Sequence, residues 1–157
     1  MIRTHDLLDS LARIRAETLK RLDGLTQTQL DWRPPDGEWS LGEIFMHLAI
    51  DEHYLRENIA RPLLEGVKPP EAVRFIPPPP PPGAKKEVIR FWFDRARLMT
   101  RRLIEAWPAD ANLELRHAGG LEEMNGAEWF EGYAGHEAFH HGQIDRVIAQ
   151  LAQHGVV

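Results

Sequence analysis

The chain has no cysteine among its 157 residues. This absence excludes disulfide bonds, zinc sites built from thiolates, and catalysis by a thiolate of the protein itself. It also fits a reducing compartment, where disulfides are rare. Any metal binding or catalysis by this chain must therefore rest on other side-chain types.

Long apolar runs and an excess of positive charge are lacking as well. No apolar stretch approaches the roughly 18 residues that a membrane span needs. Residues 1–6 turn polar at once, unlike the start of a signal peptide. The net charge of −5 gives no reason to expect nucleic acid as a partner. We therefore expect a cytoplasmic protein that associates with neither membranes nor nucleic acids.

Strand-like alternation is missing over any useful length, whereas four long segments have apolar residues at helical spacing. The predicted helices cover Thr4–Leu22, Ser40–Ala60, Lys85–Ala106 and Asn125–Gln153. The length suits one domain, residues 1–157, with a core of useful size. The sequence thus predicts an all-α fold.

Two helix starts carry the signature of a capping box, in which a short polar side chain and a glutamate three residues later cap each other. Ser40 with Glu43 begins the second helix, and Asn125 with Glu128 begins the fourth. Pro62 lies just past the predicted end of the second helix.

Two long connections separate the later helices. The first, residues 61–84, contains the six consecutive prolines Pro77 to Pro82, which favour a polyproline II conformation. This run is either a docking site for a proline-binding module or a stiff strap, and a strap would let helices two and three run parallel. In the second connection, residues 107–124, residues 113–117 could form a short extended piece.

The third predicted helix has a broad apolar face and a basic face. The apolar face comprises Val88, Ile89, Trp92, Phe93, Ala96, Met99, Leu103 and Ile104. The basic face comprises Lys85, Lys86, Arg90, Arg95, Arg97, Arg101 and Arg102. Such a face could meet an anionic substrate or a nucleic acid, but in an acidic chain it also reads as a solvated surface.

Histidines on two predicted helices carry the strongest chemical signal. His136 and His140 are four residues apart, so they lie one above the other on the apolar stripe of helix four. Two buried imidazoles need partners, which a shared metal ion or separate hydrogen bonds could supply. His47 faces inward from helix two, and a third imidazole would complete the open three-ligand arrangement of catalytic transition metals.

Several polar residues near these histidines are candidates for supporting roles. Glu43 and Asp51 lie four residues before and after His47, where either could orient the imidazole or become a fourth ligand. The capping box already explains Glu43, which leaves Asp51 as the better candidate. Asp51, Tyr54 and Gln143 could each support a ligand histidine or orient a substrate. His53 and His141 point away from these faces, and we predict that both are exposed.

The segment from His136 to His140 also matches the H-E-x-x-H pattern of zinc proteases, in which the glutamate is the general base. The extended form of that motif would need a histidine where Arg146 stands, and no glutamate follows His140. We therefore disfavour a protease and predict that Glu137 is a partly exposed helix residue.

Three landmarks in order along the chain resemble those of a known family. They are Trp32-Arg33-Pro34, then Glu38-Trp39-Ser40-Leu41-Gly42-Glu43-Ile44 with His47, and finally His136 with His140-His141-Gly142-Gln143-Ile144. Together they resemble the DinB-like (DinB/YfiT) superfamily over nearly the whole chain. The resemblance implies a four-helix bundle with a long crossover between helices 2 and 3, often as a homodimer. It also implies a divalent metal held by His47, His136 and His140.

The function implied by this resemblance is less uniform than the fold. Some members are similar to transferases that use bacillithiol, mycothiol or glutathione, and related members isomerise maleylpyruvate with such a thiol. We therefore expect a metal-dependent enzyme that transfers a low-molecular-weight thiol to a small molecule. Zinc is the first candidate metal, with nickel, iron or manganese as alternatives. A metal-dependent hydrolase, and a non-catalytic protein with a structural metal, are the competing hypotheses.

Overall fold

The computed structural model describes residues 4–107 and 113–156. Within these ranges the helices are α1 (Thr4–Asp23), α2 (Gln27–Asp31), α3 (Leu41–Leu55), α4 (Arg61–Leu64), α5 (Lys86–Glu105) and α6 (Gly126–Gln153), with a π-helical turn at Arg56–Ala60 joining α3 to α4. The described residues contain no β-strand, only a single antiparallel bridge between His117 and Met124. The predicted all-α fold is confirmed.

Both predicted capping boxes are present. The Ser40 hydroxyl accepts a hydrogen bond from the Glu43 amide at 3.2 Å, and the Ser40 amide donates to the Glu43 carboxylate at 2.8 Å. Asn125 and Glu128 cap α6 in the same way. Because Arg33 also donates to Glu43, this carboxylate is fully used at the helix start. The capping role of Glu43 therefore holds, rather than a role at a metal.

The second predicted helix continues beyond the expected stop at Pro62. A proline inside an α-helix clashes with the carbonyl of the preceding turn and cannot donate a hydrogen bond. Here a wider π-helical turn, Arg56–Ala60, precedes Pro62, and the helix runs on to Leu64. The π turn changes the hydrogen-bond register immediately before Pro62. The helical course therefore extends four residues past Ala60.

The short helix α2 is absent from the sequence prediction, which treats this stretch as loop. Its start is nevertheless encoded: Thr26 and Gln29 form a third capping box. In the second connection, the predicted extended piece is reduced to the bridge between His117 and Met124. Residues 108–112 of that connection lie outside the described residues.

The buried apolar side chains of the described residues form two cores at opposite ends of the bundle. The first joins the end of α1, α2, the first halves of α3 and α5, and the second half of α6. The second joins the first half of α1, the end of α3 through α4, the end of α5 and the first half of α6. Both α3 and α5 therefore run from the first core to the second, which is the parallel course that a long crossover permits.

The apolar face of α5 is less buried than its pattern predicts. Ile89, Phe93 and Ile104 are fully buried, but Val88 and Trp92 are exposed at 44% and 42%. Phe91 and Leu98 are exposed as well. The neighbouring helices cover only part of this apolar face, and the rest of it is exposed at the surface.

In the described part of the chain, no helix has the length and hydropathy to cross a membrane.

Candidate metal centre

The structure brings His47, His136 and His140 together. The ring centroids lie 4.6 Å apart for His136 and His140, 4.9 Å for His47 and His140, and 5.7 Å for His47 and His136. Each ring offers one nitrogen to a set of atoms that all lie within 4.8 Å of one another. Such a set can reach a single ion, because zinc–nitrogen bonds of about 2.0–2.1 Å place two ligand nitrogens roughly 3–4 Å apart.

The imidazoles are positioned from two helices and supported by aromatic side chains. One turn of α6 separates His136 from His140, which places both rings on the side facing α3. The Trp39 ring lies 4.8 Å from that of His47, and the Phe75 ring lies 5.9 Å from that of His136. The loop before α3 and the crossover therefore both pack against the cluster.

Two of the three histidines are held in the neutral form. Burial, and then the nearby charge of His136, lower the pKa of His47 to about 4. Burial also lowers the pKa of His140 to about 4, although a hydrogen bond with Gln143 opposes the shift. Neutral imidazole is the form that ligates metals, so these rings are ready to bind one near pH 7.

Asp51 lies directly beside the cluster. Its Oδ2 is 3.0 Å from Nε2 of His47 and 2.8 Å from Nε2 of His136. Its Oδ1 is buried and has no hydrogen-bond partner among the described residues. A buried carboxylate oxygen without a partner is costly, and a cation beside it would offset that cost. Three imidazoles and this carboxylate are thus a donor set that fits a divalent transition metal.

Gln143 contacts the histidine cluster, whereas the Tyr54 hydroxyl contacts the crossover. Oε1 of Gln143 accepts a hydrogen bond from Nδ1 of His140 at 2.7 Å, which leaves Nε2 of that ring free to face the other imidazoles. Such a partner on the far nitrogen fixes the orientation and tautomer of a ligand histidine. The Tyr54 hydroxyl instead donates to the carbonyl of Arg74 in the crossover at 3.0 Å.

A cavity of about 310 Å³ opens beside the histidine cluster. Its walls come from α3, the crossover, the second connection and α6. The lining residues are His47, Asp51, Leu55, Phe75, Pro77, Leu121, Met124, Trp129, Gly132, Tyr133 and His136. Its volume lies near the lower end of small-molecule sites, about 300–1,000 Å³. A small ligand could therefore contact two of the three imidazoles.

A buried ion network lies between the two apolar cores, and the sequence analysis missed it. Glu52 accepts hydrogen bonds from Arg15 at 2.7 Å and from Arg97 at 2.8 Å. Glu137 accepts from Arg15 at 2.7 Å, from Thr18 at 2.6 Å and from Arg97 at 3.0 Å. Burial alone would raise the pKa of Glu52, but Arg97 and then Arg15 outweigh it and lower the pKa to about 2.

This network corrects two predictions. Glu137 is fully buried, so the prediction of a partly exposed residue is wrong. Its carboxylate is paired with two guanidinium groups, which leaves it unsuited to the general-base role of a protease. Arg97 is half-buried rather than part of a solvated face. Local patterns could not reveal these pairs, since Arg15 and Glu137 are 122 residues apart.

His53, His117 and His141 lie outside the cluster. His53 is exposed, as predicted, whereas His141 is half-buried and its Nε2 lies 2.8 Å from the Thr18 hydroxyl. That contact explains why the predicted exposure of His141 is wrong. His117 is buried and contacts the Val73 carbonyl at 2.7 Å, which ties the second connection to the crossover.

Comparison with known proteins supports the assignment that these landmarks suggest. A sequence profile of the DinB superfamily matches residues 10–144, which includes the three clustered histidines. No curated protein and no solved structure matches the chain significantly. The profile covers most of the chain, and the helical fold agrees with it. The chain therefore belongs to the DinB superfamily.

Proposed function

We propose that this protein is a metal-dependent enzyme that transfers a low-molecular-weight thiol to a small electrophile. His47, His136 and His140 would hold one divalent ion, with zinc as the first candidate. The observation that carries the proposal is the cluster of three imidazoles beside a buried, unpartnered carboxylate oxygen and an adjoining cavity. We also propose that the protein acts in the cytoplasm.

A bound divalent ion would supply positive charge that favours the thiolate over the thiol and so activates the sulfur nucleophile. The chain itself supplies orientation. Gln143 fixes the His140 ring, and Asp51 offers a hydrogen-bond acceptor on the cavity wall. In the transfer, the thiol proton leaves to solvent, a sulfur–carbon bond forms, and the leaving group departs with its bonding electron pair. Because the chain lacks cysteine, the sulfur must come from the cosubstrate.

Two alternatives use the same residues. A hydrolase would use activated water at an open position of the site. A structural metal is usually closed by four protein ligands, and Asp51 is the nearest side chain that could supply the fourth. A spectroscopically open coordination site would favour an enzyme, and a closed site with Asp51 bound would favour the structural role.

The thiol-transfer proposal is tested with the zinc-loaded protein and the chromogenic electrophile 1-chloro-2,4-dinitrobenzene. Glutathione, bacillithiol and mycothiol are each supplied as the thiol. We expect release of chloride and formation of the thioether above the uncatalysed rate with at least one thiol, and loss of this rate in the His47→Ala variant. Bound zinc without acceleration by any of the three thiols would contradict the proposal.

Homodimer formation, implied by the family, is a further proposal. The exposed apolar residues of α5, namely Val88, Phe91, Trp92 and Leu98, would supply part of a contact surface. Sedimentation of the wild-type protein and of the Phe91→Glu variant tests this proposal. A wild-type dimer that the variant converts to monomers supports the α5 face, and a wild-type monomer contradicts it.

A further inference from the structure

We propose that the substrate in the cavity beside the histidine cluster is an uncharged molecule with an aromatic or similarly apolar body. This inference rests on the proposed function, since it names the substrate class of the same site. The reacting group of the substrate would face His47 and His136, and its body would fill the rest of the cavity.

The walls of the cavity are mainly apolar and aromatic. Away from the histidines the cavity is lined by the rings of Phe75, Trp129 and Tyr133 and by the side chains of Leu121 and Met124. Phe75 and Trp129 lie with their ring centroids 5.8 Å apart at 58°. Aromatic walls of this kind favour offset or edge-to-face contact with another ring, beyond the burial of apolar area.

The charged groups around the cavity do not favour an anionic substrate. Asp51 is the acidic side chain on its wall, and no lysine or arginine is among its described lining residues. Arg74 passes close to Gly120 near Leu121, but its side chain is exposed and is not part of the wall. A carboxylate on the buried body of a substrate would therefore lack a cationic partner, and an unpaired buried charge is costly.

Hydrogen bonds between chain segments hold the walls of the cavity in place. The Phe75 amide donates to the Gly119 carbonyl at 2.8 Å, which joins the crossover to the second connection. The Trp129 indole donates to the His117 carbonyl at 3.1 Å, which joins that connection to α6. Because three segments of the chain are tied together, the walls do not need to be ordered when the ligand binds. Preorganisation of this kind favours affinity for a rigid apolar molecule.

Two matched thiols serve as probes of the cavity in the zinc-loaded protein, because the thiol group would anchor each probe at the metal while its body occupies the substrate cavity. Benzyl mercaptan carries a thiol and an uncharged ring, and 4-(mercaptomethyl)benzoic acid adds one carboxylate to the same skeleton. Calorimetry gives the dissociation constant of each, with 2-mercaptoethanol as a thiol that has no ring. We expect benzyl mercaptan to bind about ten-fold more tightly than either of the others, since it alone buries a ring without burying a charge.

A variant at the cavity mouth localises the effect. Leu121 lines the cavity and is 60% exposed, so the Leu121→Lys variant should fold. This change should weaken the binding of benzyl mercaptan and strengthen the binding of its carboxylate analogue. The ratio of the two dissociation constants, carboxylate analogue to benzyl mercaptan, should therefore fall about ten-fold. Val67→Lys, at another exposed aliphatic residue, is the matched control and should leave both constants unchanged.

The outcomes separate this inference from the proposed function. Equal binding of the two aromatic thiols, or a preference for the carboxylate, would overturn the substrate class even if zinc is bound. An unchanged preference in Leu121→Lys would also overturn it, because the ring would then bind elsewhere. A protein that binds no zinc would overturn the proposed function. The inference about the cavity would still hold if the metal-free protein binds toluene more tightly than benzoate.

Discussion

At the scale of single residues, Asp51 links the histidine cluster to the cavity. One carboxylate oxygen contacts two imidazoles and the other is buried without a partner. Without a cation, this arrangement leaves a buried polar atom unsatisfied, which normally costs about 1–3 kcal/mol. The residue therefore makes better physical sense beside a bound ion than without one.

We predict that Asp51→Asn lowers the affinity for zinc by about 10- to 100-fold, because an amide lacks the negative charge that strengthens binding. Competition with a chromogenic chelator measures the affinity. Asp145→Asn, which alters an exposed pair with Arg21, is the control. Equal affinity of the Asp51→Asn and control proteins would show that the carboxylate has no influence on the metal.

Glu52 is the best test of the buried ion network. Removing one partner of such a network leaves uncompensated guanidinium groups inside the protein, so Glu52→Gln should lower the free energy of unfolding by about 3–5 kcal/mol. Glu105→Gln disrupts an exposed pair with Arg101 and should cost less than about 1 kcal/mol. Urea denaturation at pH 7 gives both values, and similar losses in the two variants would contradict a buried, coupled network.

At the scale of elements, the walls of the cavity depend on a close approach between the second connection and α6. Gly119 has a positive φ of 52°, and a Cβ there would lie 2.9 Å from the Trp129 ring. Only glycine satisfies both conditions, because any other side chain would displace the ring or the loop.

Gly119→Ala should therefore be more harmful than an alanine at another glycine with a positive φ. Gly37, with φ of 84° and open space around it, is the matched control. We expect Gly37→Ala to cost about 1 kcal/mol from backbone strain alone. Gly119→Ala should cost about 1–3 kcal/mol more, from the clash with Trp129. Urea denaturation measures both, and equal costs would argue against the tight packing of Trp129.

Helix positions were predictable from sequence because each long helix has its own apolar periodicity, and capping boxes mark the starts of α3 and α6. The predicted bounds of the first, third and fourth helices agree with α1, α5 and α6 to within one residue at each end. The course beyond Pro62 was not predictable, because the π turn replaces one hydrogen-bond register with another. Two of the three metal candidates could be proposed from sequence because His136 and His140 share one face of a single helix.

The ion network could not be predicted for a different reason. Arg15, Glu52, Arg97 and Glu137 lie on four different helices, so their pairing depends on tertiary packing. On its own helix each residue resembles an ordinary solvated charge. Gln143 could be proposed as a candidate because it lies on the same stripe of one helix as His136 and His140, and its side chain contacts His140.

At the scale of the whole molecule, two apolar cores enclose a polar layer. α1, α3, α5 and α6 each contribute to both cores and supply one member of the buried network between them. The layer thereby couples all four long helices, and its ionisation should control the response of the fold to acid.

We predict a loss of stability in acid that depends on Glu52. Its pKa is about 2 in the folded protein against an ordinary value of 4.5. A lowered pKa adds stability that is complete above pH 4.5 and is lost as the pH falls towards 2, on the order of 3 kcal/mol. Urea denaturation between pH 7 and pH 2 should show this loss in the wild-type protein and a smaller one in Glu52→Gln. Parallel pH profiles would contradict the assignment.

The most direct measurement is the metal content of the protein purified without a histidine tag, compared with that of the His136→Ala/His140→Ala double variant. We predict about one transition-metal ion per chain in the wild-type protein. The variant should contain none while keeping its helical circular dichroism. Full metal content in the folded variant would contradict the site, and absence of metal from the wild-type protein after reconstitution would contradict the proposed enzyme.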